Sequence, residues 1–475
     1  MADRVTVIGW DGSPLSDAAR SALAPATLVA GAAHHLQLPE VPRRAERIRL
    51  GSVSLAARRI AQHRGTAVVF ADGDPGFFGV VRALRAPEHG LEVEVIPAVS
   101  ALAAAFARVG MPWDDAQLVV ANSRTLRRAV NVCRAHTKVG ILTSPGAGPA
   151  ELALLLGPVH RTFVICEELG TEREEVTVLT SDRVADHGWR DPNVVLVVGG
   201  AGPGSRSWAQ PRGGGHGRTA GSGLSAATAQ GSGWLAGRGP GYPPTVRGWA
   251  LPTVEYAGEH GRPSGAGAGA GAGGAGYAGA GNGPPGTGGW DSLPGGGAAS
   301  GAGTPVRGRV REGESAQLRA GQLARLGPRV GDLVWDIGSA SGALSVEAAR
   351  FGAAVIAVDA DADACARTTA AARRFGVQLQ TVHGTAPQVL EDLPEPDLVR
   401  IGGGGVRTVQ AVADRRPDRI VTHALTRDEA EAVGRALADG GYAVECALLQ
   451  SVELDTVAWT ERERSVVFLL SGVRD

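Results

Sequence analysis

The middle of the chain constrains the fold more than any other part of the sequence. Residues 201–300 contain 32 Gly and 10 Pro, and residues 264–281 are almost entirely Gly and Ala. Such a stretch has few side chains to bury, and glycine loses more conformational freedom on folding than other residues. We therefore expect a disordered linker over residues 202–305, with one domain before it (residues 1–201) and one after it (residues 306–475).

Both flanking halves alternate short apolar runs with helix-forming stretches. In the first half the expected strands are residues 5–8, 67–70, 93–96, 139–142 and 194–198. In the second half they are residues 333–337, 354–359, 378–382, 398–401, 420–422, 443–449 and 465–470. This alternation predicts an α/β fold in each half, with a parallel sheet in the second.

Composition and short motifs exclude several classes of protein. The formal net charge is −1, without the basic excess that nucleic-acid-binding domains carry. Apolar runs stay below the roughly 18 residues that a membrane span needs. Met1 leads directly into the first expected strand, so we expect a cytoplasmic protein without a signal peptide. The histidines and cysteines form no recognisable metal-ligand spacing, so no metal is expected.

The most informative segment lies in the second half, where residues 334–342 (VWDIGSASG) leave an expected strand and enter an expected helix. Asp336 comes two residues before Gly338, and Asp359 ends the next strand, where a carboxylate can accept the hydroxyls of a ribose. A nicotinamide dehydrogenase would carry G-x-G-x-x-G to hold a pyrophosphate, and a ligand-free Rossmann-like turn is a further alternative. An acid at Asp336 instead suits the ammonium group of S-adenosylmethionine, directly or through water, which favours a methyltransferase.

The second half resembles the decarboxylating domain of the precorrin-6Y methyltransferase family. Residues 335–349 are similar to its "WDIGAGSGSVAIEAA", residues 371–376 to its "NAARFG", residues 384–390 to its "GDAPEAL" and residues 401–405 to its "FIGGGG". The resemblance spans residues 314–458 and implies a Rossmann-like class I methyltransferase fold. The departures are Ala340 for a glycine, Thr385 for an aspartate, and Glu314, Ser315 and Gln317 within the family's "TKxEVR", of which Arg319 is retained.

The first half resembles the tetrapyrrole methylases. Residues 72–79 (DGDPGFFG) are similar to the signature "SGDPLFYG", and residues 96–101 to the "IPAPSS" loop. His35 and Leu36 fit "VGGRRHL", residues 111–113 fit "WPW", and residues 142–144 fit "LTSDG". The departures are GWDGS at residues 9–13 for "GxGPG", and residues 122–124 (NSR) for "HGR". The resemblance implies an N-terminal tetrapyrrole methylase fold.

These resemblances imply one S-adenosylmethionine site in each domain and no further cofactor. The residues implied in donor binding are Gly9, Gly73, Asp74, Phe78, Val99, Ser100, Ala101, Thr143, Asp336, Gly338, Ser341, Gly342, Asp359, Thr385 and Ala386. The residues implied in substrate binding are Arg124, Arg319, Gly403 and Gly404. The sequence identifies no catalytic side chain.

The activity that the resemblance implies is methylation of precorrin-6Y at carbons 5 and 15 with decarboxylation of an acetate side chain, giving precorrin-8X in cobalamin biosynthesis. One alternative is a single-site precorrin methyltransferase with an altered or inactive C-terminal domain. A nicotinamide oxidoreductase and a non-enzymatic tetrapyrrole-binding protein are further alternatives.

We expect a homo-oligomer that binds a small tetrapyrrole and neither nucleic acid nor a membrane. Residues 206–300 are expected to be dispensable for folding. The exception is residues 249–252 (WALP), which resemble the lead-in to the family's second domain.

Overall fold

The computed structural model describes residues 4–51, 53–77, 79–199, 249–256 and 315–474. Their strands form three sheets, of which two lie in the first half of the chain and one in the second. No helix in these ranges is both long and apolar enough to cross a membrane.

The first sheet is parallel throughout and has the order β3-β2-β4-β1-β5. Its strands are β1 (Val5–Trp10), β2 (Leu28–Gly31), β3 (Glu46–Arg49), β4 (Ala67–Asp72) and β5 (Val93–Ile96). The connecting helices are α1 (Asp17–Leu23), α2 (Ala33–Leu36), α3 (Val53–Ala61) and α4 (Val80–Leu84). Because neighbouring strands run the same way, their carboxyl ends share one edge, where open parallel sheets bind ligands.

The second sheet is mostly antiparallel, with the order β6-β7-β10-β8-β9. Only β6 and β7 pair in parallel. Its strands are β6 (Gln117–Val120), β7 (Lys138–Leu142), β8 (Thr162–Glu167), β9 (Glu175–Thr180) and β10 (Asn193–Val198). The helices are α5 (Ala101–Arg108), α6 (Leu126–Ala135), α7 (Pro149–Leu156) and α8 (Ser181–Val184). Strands β6, β8 and β9 were not predicted. Neither β6 nor β9 contains a continuous buried apolar run, whereas β8 does contain one, at residues 163–166, and it was missed.

The third sheet has the order β13-β12-β11-β14-β15-β17-β16 and is parallel except for β17, which runs antiparallel to both neighbours. Its strands are β11 (Leu333–Ile337), β12 (Ala354–Asp359), β13 (Gln380–His383), β14 (Leu398–Ile401), β15 (Arg419–Ala424), β16 (Tyr442–Leu454) and β17 (Glu461–Arg474). The helices are α9 (Ala316–Leu326), α10 (Ala343–Arg350), α11 (Ala362–Phe375), α12 (Gly405–Asp414) and α13 (Arg427–Asp439). The predicted Rossmann-like architecture of this half is confirmed.

A short segment within the expected linker is ordered against the C-terminal domain. The Tyr256 hydroxyl donates a hydrogen bond to the Glu347 carboxylate, and the Arg319 guanidinium donates to the carbonyl of Leu251. The ring of Trp249 stacks on Phe351 with centroids 4.1 Å apart. The expectation of disorder across all of residues 202–305 is therefore wrong for residues 249–256, whose apolar and aromatic side chains can be buried where Gly and Ala cannot. Deleting residues 206–300 would remove these contacts.

The two halves are in direct contact through α6. The Asn131 side chain, fully buried, donates a hydrogen bond of 3.0 Å to the carbonyl oxygen of Gly331, just before β11. Arg127 and Asp397 form an ion pair of 3.1 Å beside it. A buried amide with a backbone partner in the other domain fixes the orientation of α6 against that domain.

We expect Tyr256→Phe to destabilise the C-terminal domain by about 1–3 kcal/mol, because the buried Glu347 carboxylate loses a hydrogen-bond donor. Burial and the contact with Glu347 raise the pKa of Tyr256, so its hydroxyl remains a donor at neutral pH. Thermal and urea unfolding of the full chain measure the effect. Glu255→Gln is the matched control, because the 3.1 Å pair between Glu255 and Arg374 is exposed and should contribute at most about 1 kcal/mol. Equal effects of the two changes would contradict a structural role for Tyr256.

Candidate active sites

Three loops of the first sheet converge at Gly9, near the end of β1. A Cβ atom on Gly9 would lie 2.4 Å from the carbonyl oxygen of Gly73 and 2.8 Å from the backbone nitrogen of Ala98. The backbone nitrogen of Gly73 donates a 2.7 Å hydrogen bond to the carbonyl of Trp10, the residue after Gly9. Only glycine allows this approach, so the loops after β1, β4 and β5 form one surface at the carboxyl edge of the sheet.

The remaining N-terminal candidates occupy the same loops or the neighbouring sheet. Gly73 lies against three of these residues. A Cβ atom on Gly73 would be 3.2–3.3 Å from backbone atoms of Val99, Ser100 and Ala101. The Ser100 hydroxyl caps α5 by accepting from the backbone nitrogen of Ala103 at 3.1 Å. The Asp74 carboxylate accepts a hydrogen bond from the backbone nitrogen of Gly76, in its own turn. The Thr143 hydroxyl, just after β7, donates to the carbonyl oxygen of Asn193 at 2.5 Å. Phe78 lies outside the described residues.

The C-terminal candidate site is also built from glycine-rich loops at the carboxyl ends of parallel strands. Gly338 and Gly342 both have positive φ, and a Cβ atom on Gly342 would lie 2.6 Å from Cα of Thr368. The loop that follows β14 passes close by, because Gly402 donates a 2.7 Å hydrogen bond to the carbonyl of Ile337. Ala340, which replaces a family glycine, nevertheless has φ +50°. A left-handed alanine costs roughly 1–2 kcal/mol, so the surrounding loop enforces this shape.

Asp359 links the loops around this site. Its Oδ2 accepts a 2.8 Å hydrogen bond from the backbone nitrogen of Ala340, which connects the end of β12 to the loop after β11. Its carbonyl accepts at 2.9 Å from Gly384, which places the loop containing Thr385 and Ala386 beside the same strand end. The structure therefore brings the predicted ribose acceptor and the predicted adenine-side loop together.

Asp336 has partners inside the protein that the sequence did not suggest. The side chain is fully buried, its Oδ2 accepts a 2.5 Å hydrogen bond from the Ser345 hydroxyl, and its Oδ1 lies 3.1 Å from Nη1 of Arg400. Burial raises the pKa of Asp336 to about 7 and lowers the pKa of Arg400 to about 9. The two carboxylate oxygens of Asp336 thus already face a hydroxyl and a guanidinium of the protein, and contact with a donor ammonium group, direct or through water, stays a prediction.

The location of Arg319 also differs from the expectation. Its side chain is 1% exposed and lies 3.4 Å from the Glu347 carboxylate, with its guanidinium over the ring of Tyr256. The structure therefore gives Arg319 a role in holding residues 249–256, and the expected contact with a substrate carboxylate is corrected. Arg124, in contrast, is exposed and precedes Thr125, the N-cap residue of α6.

Two further predicted positions lie at the start of α12. Gly403 has nothing within 4 Å of a would-be Cβ atom, whereas Gly404 has φ +89° and lies against the Thr408 hydroxyl. Gly403 thus leaves open space beside the loop after β11. Gly404 is the N-cap residue of α12, and its positive φ favours glycine there.

The Ser341 hydroxyl accepts a hydrogen bond of 3.3 Å from the backbone nitrogen of Ala343.

Sequence reasoning missed the importance of Arg400. Its guanidinium also donates a 2.8 Å hydrogen bond to the carbonyl of Gly338, so it supports the loop after β11 as well as Asp336. The available signal was an arginine within the buried apolar strand β14, at the position where the family's "FIGGGG" has phenylalanine. A buried strand tolerates an arginine only when an anion or carbonyl groups face it.

Comparisons with known proteins identify both halves. The sequence profile of the tetrapyrrole (corrin/porphyrin) methylases matches residues 2–185, and the profile of a precorrin methyltransferase domain matches residues 314–468. Together they define a two-domain methyltransferase that acts on tetrapyrroles.

Three curated relatives narrow the class. The chain is 28% identical over 434 residues to a precorrin-6Y C(5,15)-methyltransferase [decarboxylating] of Sinorhizobium sp, covering 89% of this chain and 84% of the relative. It is 34% identical to the cobalt-precorrin-7 C(5)-methyltransferase of Salmonella typhimurium over 41% of this chain and 98% of the relative. It is 35% identical to a probable cobalt-precorrin-6B C(15)-methyltransferase (decarboxylating) of Pyrobaculum calidifontis over 27% of this chain and 71% of the relative. The chain belongs to the precorrin-6Y C5,15-methyltransferase (decarboxylating) family. Enzymes of this family use S-adenosylmethionine as methyl donor.

We expect Asp336→Asn to destabilise the C-terminal domain by about 3–5 kcal/mol, because the Arg400 guanidinium would stay buried without its anion. Replacing Arg400 by Met in the same chain should recover most of this loss. Urea unfolding of the full chain measures both. The exposed pair of Arg325 and Glu445 supplies the control, and Glu445→Gln should change stability by at most about 1 kcal/mol. Equal losses in the single and double variants would contradict the pairing.

Proposed function

We propose that this chain transfers two methyl groups from S-adenosylmethionine to precorrin-6Y, one to carbon 5 and one to carbon 15. The N-terminal domain methylates carbon 5. The C-terminal domain methylates carbon 15 and removes the carboxyl group of an acetate side chain. The product is precorrin-8X, an intermediate of cobalamin biosynthesis.

The observation that carries this proposal is the presence of both family domains in one chain, each with glycine-built loops at a parallel strand edge. The relatives include one named for carbon 5 alone and one named for carbon 15 with decarboxylation. The relative aligned over 89% of this chain is named for both carbons. Along the chain, the match to the tetrapyrrole methylase profile comes first and the match to the precorrin methyltransferase profile comes second.

The residues of both sites fit a donor that needs positioning more than activation. S-adenosylmethionine supplies a methyl group that its sulfonium already activates. The chain therefore has to bring the acceptor carbon into line with that methyl and exclude water, which can contribute about 7–11 kcal/mol in favourable cases. In the C-terminal domain we assign the ribose to Asp359 and the adenine side to Thr385 and Ala386. In the N-terminal domain we assign the donor to the loops that meet at Gly9 and Gly73.

For the tetrapyrrole we assign Arg124 in the N-terminal domain and the open backbone at Gly403 in the C-terminal domain. The macrocycle carries several carboxylates, and an exposed guanidinium can bind one through two parallel hydrogen bonds. Gly403 has no neighbour within 4 Å of a would-be Cβ atom, which supports close approach of a flat ligand.

A second candidate function is a single carbon-5 methylation with an altered C-terminal domain. The ion pair between Asp336 and Arg400 favours it, because the acid expected to face the donor's ammonium group already has a cationic partner in the protein. The departures at Ser315, Gln317 and Thr385 point the same way.

We place the domain boundaries at residues 1–201 and 306–475 and add residues 249–256 to the second domain, because they pack on it. A homo-oligomeric state and a cytoplasmic location stay predictions from the sequence.

We expect the full chain to bind two equivalents of S-adenosylmethionine in calorimetry, one per domain. Asp359→Ala should weaken one of the two by about 1–3 kcal/mol, because charge-assisted hydrogen bonds to the ribose are lost. Asp363→Ala is the control, since this aspartate lies in the first turn of α11 outside the loops of the site. A single equivalent for the unaltered chain would support the second candidate function.

With precorrin-6Y and excess donor, the full chain should yield a product that has gained two methyl groups and lost one carbon dioxide. Mass spectrometry of the product measures both changes. One methyl gained with the acetate arm retained would select the single-methylation function. A substrate of unchanged mass would refute both.

A further inference from the structure

A cluster of two histidines and an aspartate lies at the carboxyl edge of the first sheet and has no part in the function above. Within the described ranges, His34, His35 and Asp72 form the one group of at least three His, Cys, Asp or Glu residues whose potential ligand atoms all lie within 4.8 Å of one another. Oδ1 of Asp72 is 2.8 Å from Nε2 of His34 and 3.1 Å from Nε2 of His35. The sequence did not suggest this cluster, because 38 residues separate His34 from Asp72 along the chain.

The hydrogen bonds of His35 determine where its proton lies. Its Nδ1 accepts a 3.1 Å hydrogen bond from the backbone nitrogen of Ala32. A neutral imidazole carries one proton, so Nε2 of His35 is protonated and donates to Asp72. The side chain is 1% exposed and stacks on Phe70 at a centroid distance of 5.4 Å. His35 is therefore a fixed donor that holds Oδ1 of Asp72 in place.

His34 shares the same carboxylate oxygen but faces solvent. Its Nε2 lies 2.8 Å from Oδ1 of Asp72 and 3.1 Å from Nε2 of His35. Because an ionised carboxylate can only accept, Nε2 of His34 carries the proton and donates to Oδ1, and the lone pair is on Nδ1. The side chain is 52% exposed, and its ring stacks on Trp10 at 5.7 Å. Burial acts to raise the pKa of Asp72, but the hydrogen bonds from His35 and His34 outweigh it and the pKa is lowered. The ionised carboxylate can thus stabilise the imidazolium that forms when His34 takes up a proton.

The cluster borders the N-terminal donor site. Asp72 ends β4 and is followed directly by Gly73, whose nitrogen bonds to the carbonyl of Trp10. Trp10 in turn follows Gly9, where the three loops converge. The accessible nitrogen of His34 and the loops assigned to the donor therefore belong to one edge of the sheet.

We propose that His34 is the proton acceptor of the carbon-5 methylation and that Asp72 and His35 are its positioning residues. This rests on the proposed function of the N-terminal domain. Transfer breaks the bond between sulfur and the methyl group, whose electron pair stays on sulfur, and forms a bond from the ring carbon to the methyl. The ring carbon's hydrogen then leaves as a proton to Nδ1 of His34, and the electron pair of that bond returns to the macrocycle. The proton passes to solvent before the next turnover.

The alternative hypothesis for this cluster is a binding site for a divalent metal ion. Three ligand atoms on one face of an octahedron with bonds of about 2.1 Å are about 3.0 Å apart, close to the separations here. The hydrogen bond from Ala32 argues against it, because Nε2 of a neutral His35 then carries a proton and has no lone pair for a metal. The geometry favours the proton acceptor.

The test measures carbon-5 methylation by the full chain in single turnover, with precorrin-6Y and product mass as the readout. His34→Ala should lower the rate about 10²–10⁴-fold, the range for loss of a general base, with donor binding in calorimetry unchanged. His34→Gln should be equally slow, because an amide keeps the hydrogen bond to Asp72 but has no basic nitrogen. Added imidazole should partly restore His34→Ala and leave Asp72→Asn unrestored.

His63→Gln is the matched control and should retain the wild-type rate. Its Nε2 bonds to Thr27 at the opposite edge of the sheet, before β2 begins. Wild-type rates in His34→Ala or His34→Gln would overturn the assignment while leaving the proposed function intact. Zinc binding in calorimetry that needs His34, together with loss of activity on chelation, would overturn it in favour of a metal site. A wild-type chain that methylates nothing would instead refute the proposed function.

If the wild-type chain shows no methylation, a measurement that needs no turnover still tests the role of His34. Nitrogen-15 NMR of labelled histidine, assigned with His34→Gln, reports which ring nitrogen carries the proton. Protonation of His34 on Nε2 is expected. A proton on Nδ1 of neutral His34 would overturn its assignment as the acceptor.

Discussion

Contact between backbones at the carboxyl ends of parallel strands is the constraint on which both candidate sites depend. At Gly9 a side chain would collide with Gly73 in the loop after β4, and in the C-terminal domain Gly402 after β14 donates a 2.7 Å hydrogen bond to the carbonyl of Ile337 at the end of β11. Because these loops touch through their backbones, no side chain separates them at these contacts, and amide and carbonyl groups form part of the surface there. Such a surface can approach a ligand closely, and it suits a reaction in which orientation provides most of the rate.

Charge is distributed differently in the two sites. In the C-terminal domain the acid next to the glycine loop is buried and neutralised by Arg400, so the charge remaining at the loop edge is that of Asp359. In the N-terminal domain Asp72 is an ionised group at the edge, and two histidines share it. A buried pair contributes mainly to the conformation of the loop, whereas an exposed carboxylate beside a histidine can take part in proton transfer. The two halves thus use acidic residues at equivalent strand ends for different purposes.

Residues 249–256 show that the composition of a Gly-rich region does not by itself reveal which short segment within it packs on a domain. Tyr256 and Trp249 place aromatic rings on the C-terminal domain, and Arg319 is held between Tyr256, Glu347 and the carbonyl of Leu251. An arginine that the family motif retains therefore stabilises the domain. Retention of a residue in a motif does not by itself distinguish a ligand from a structural contact.

The sequence by itself determined the two α/β halves, the Rossmann-like fold of the second and the loops that build each site. These follow from local patterns: buried strands are continuous apolar runs, and tight loops need glycine at fixed positions. Only the tertiary structure decided the partners of the charged groups. Asp336 and Arg400 are 64 residues apart, and His34 and Asp72 are 38 apart. No local pattern encodes such pairs. They form only when β11 lies beside β14, and when β2, which α2 follows, lies beside β4.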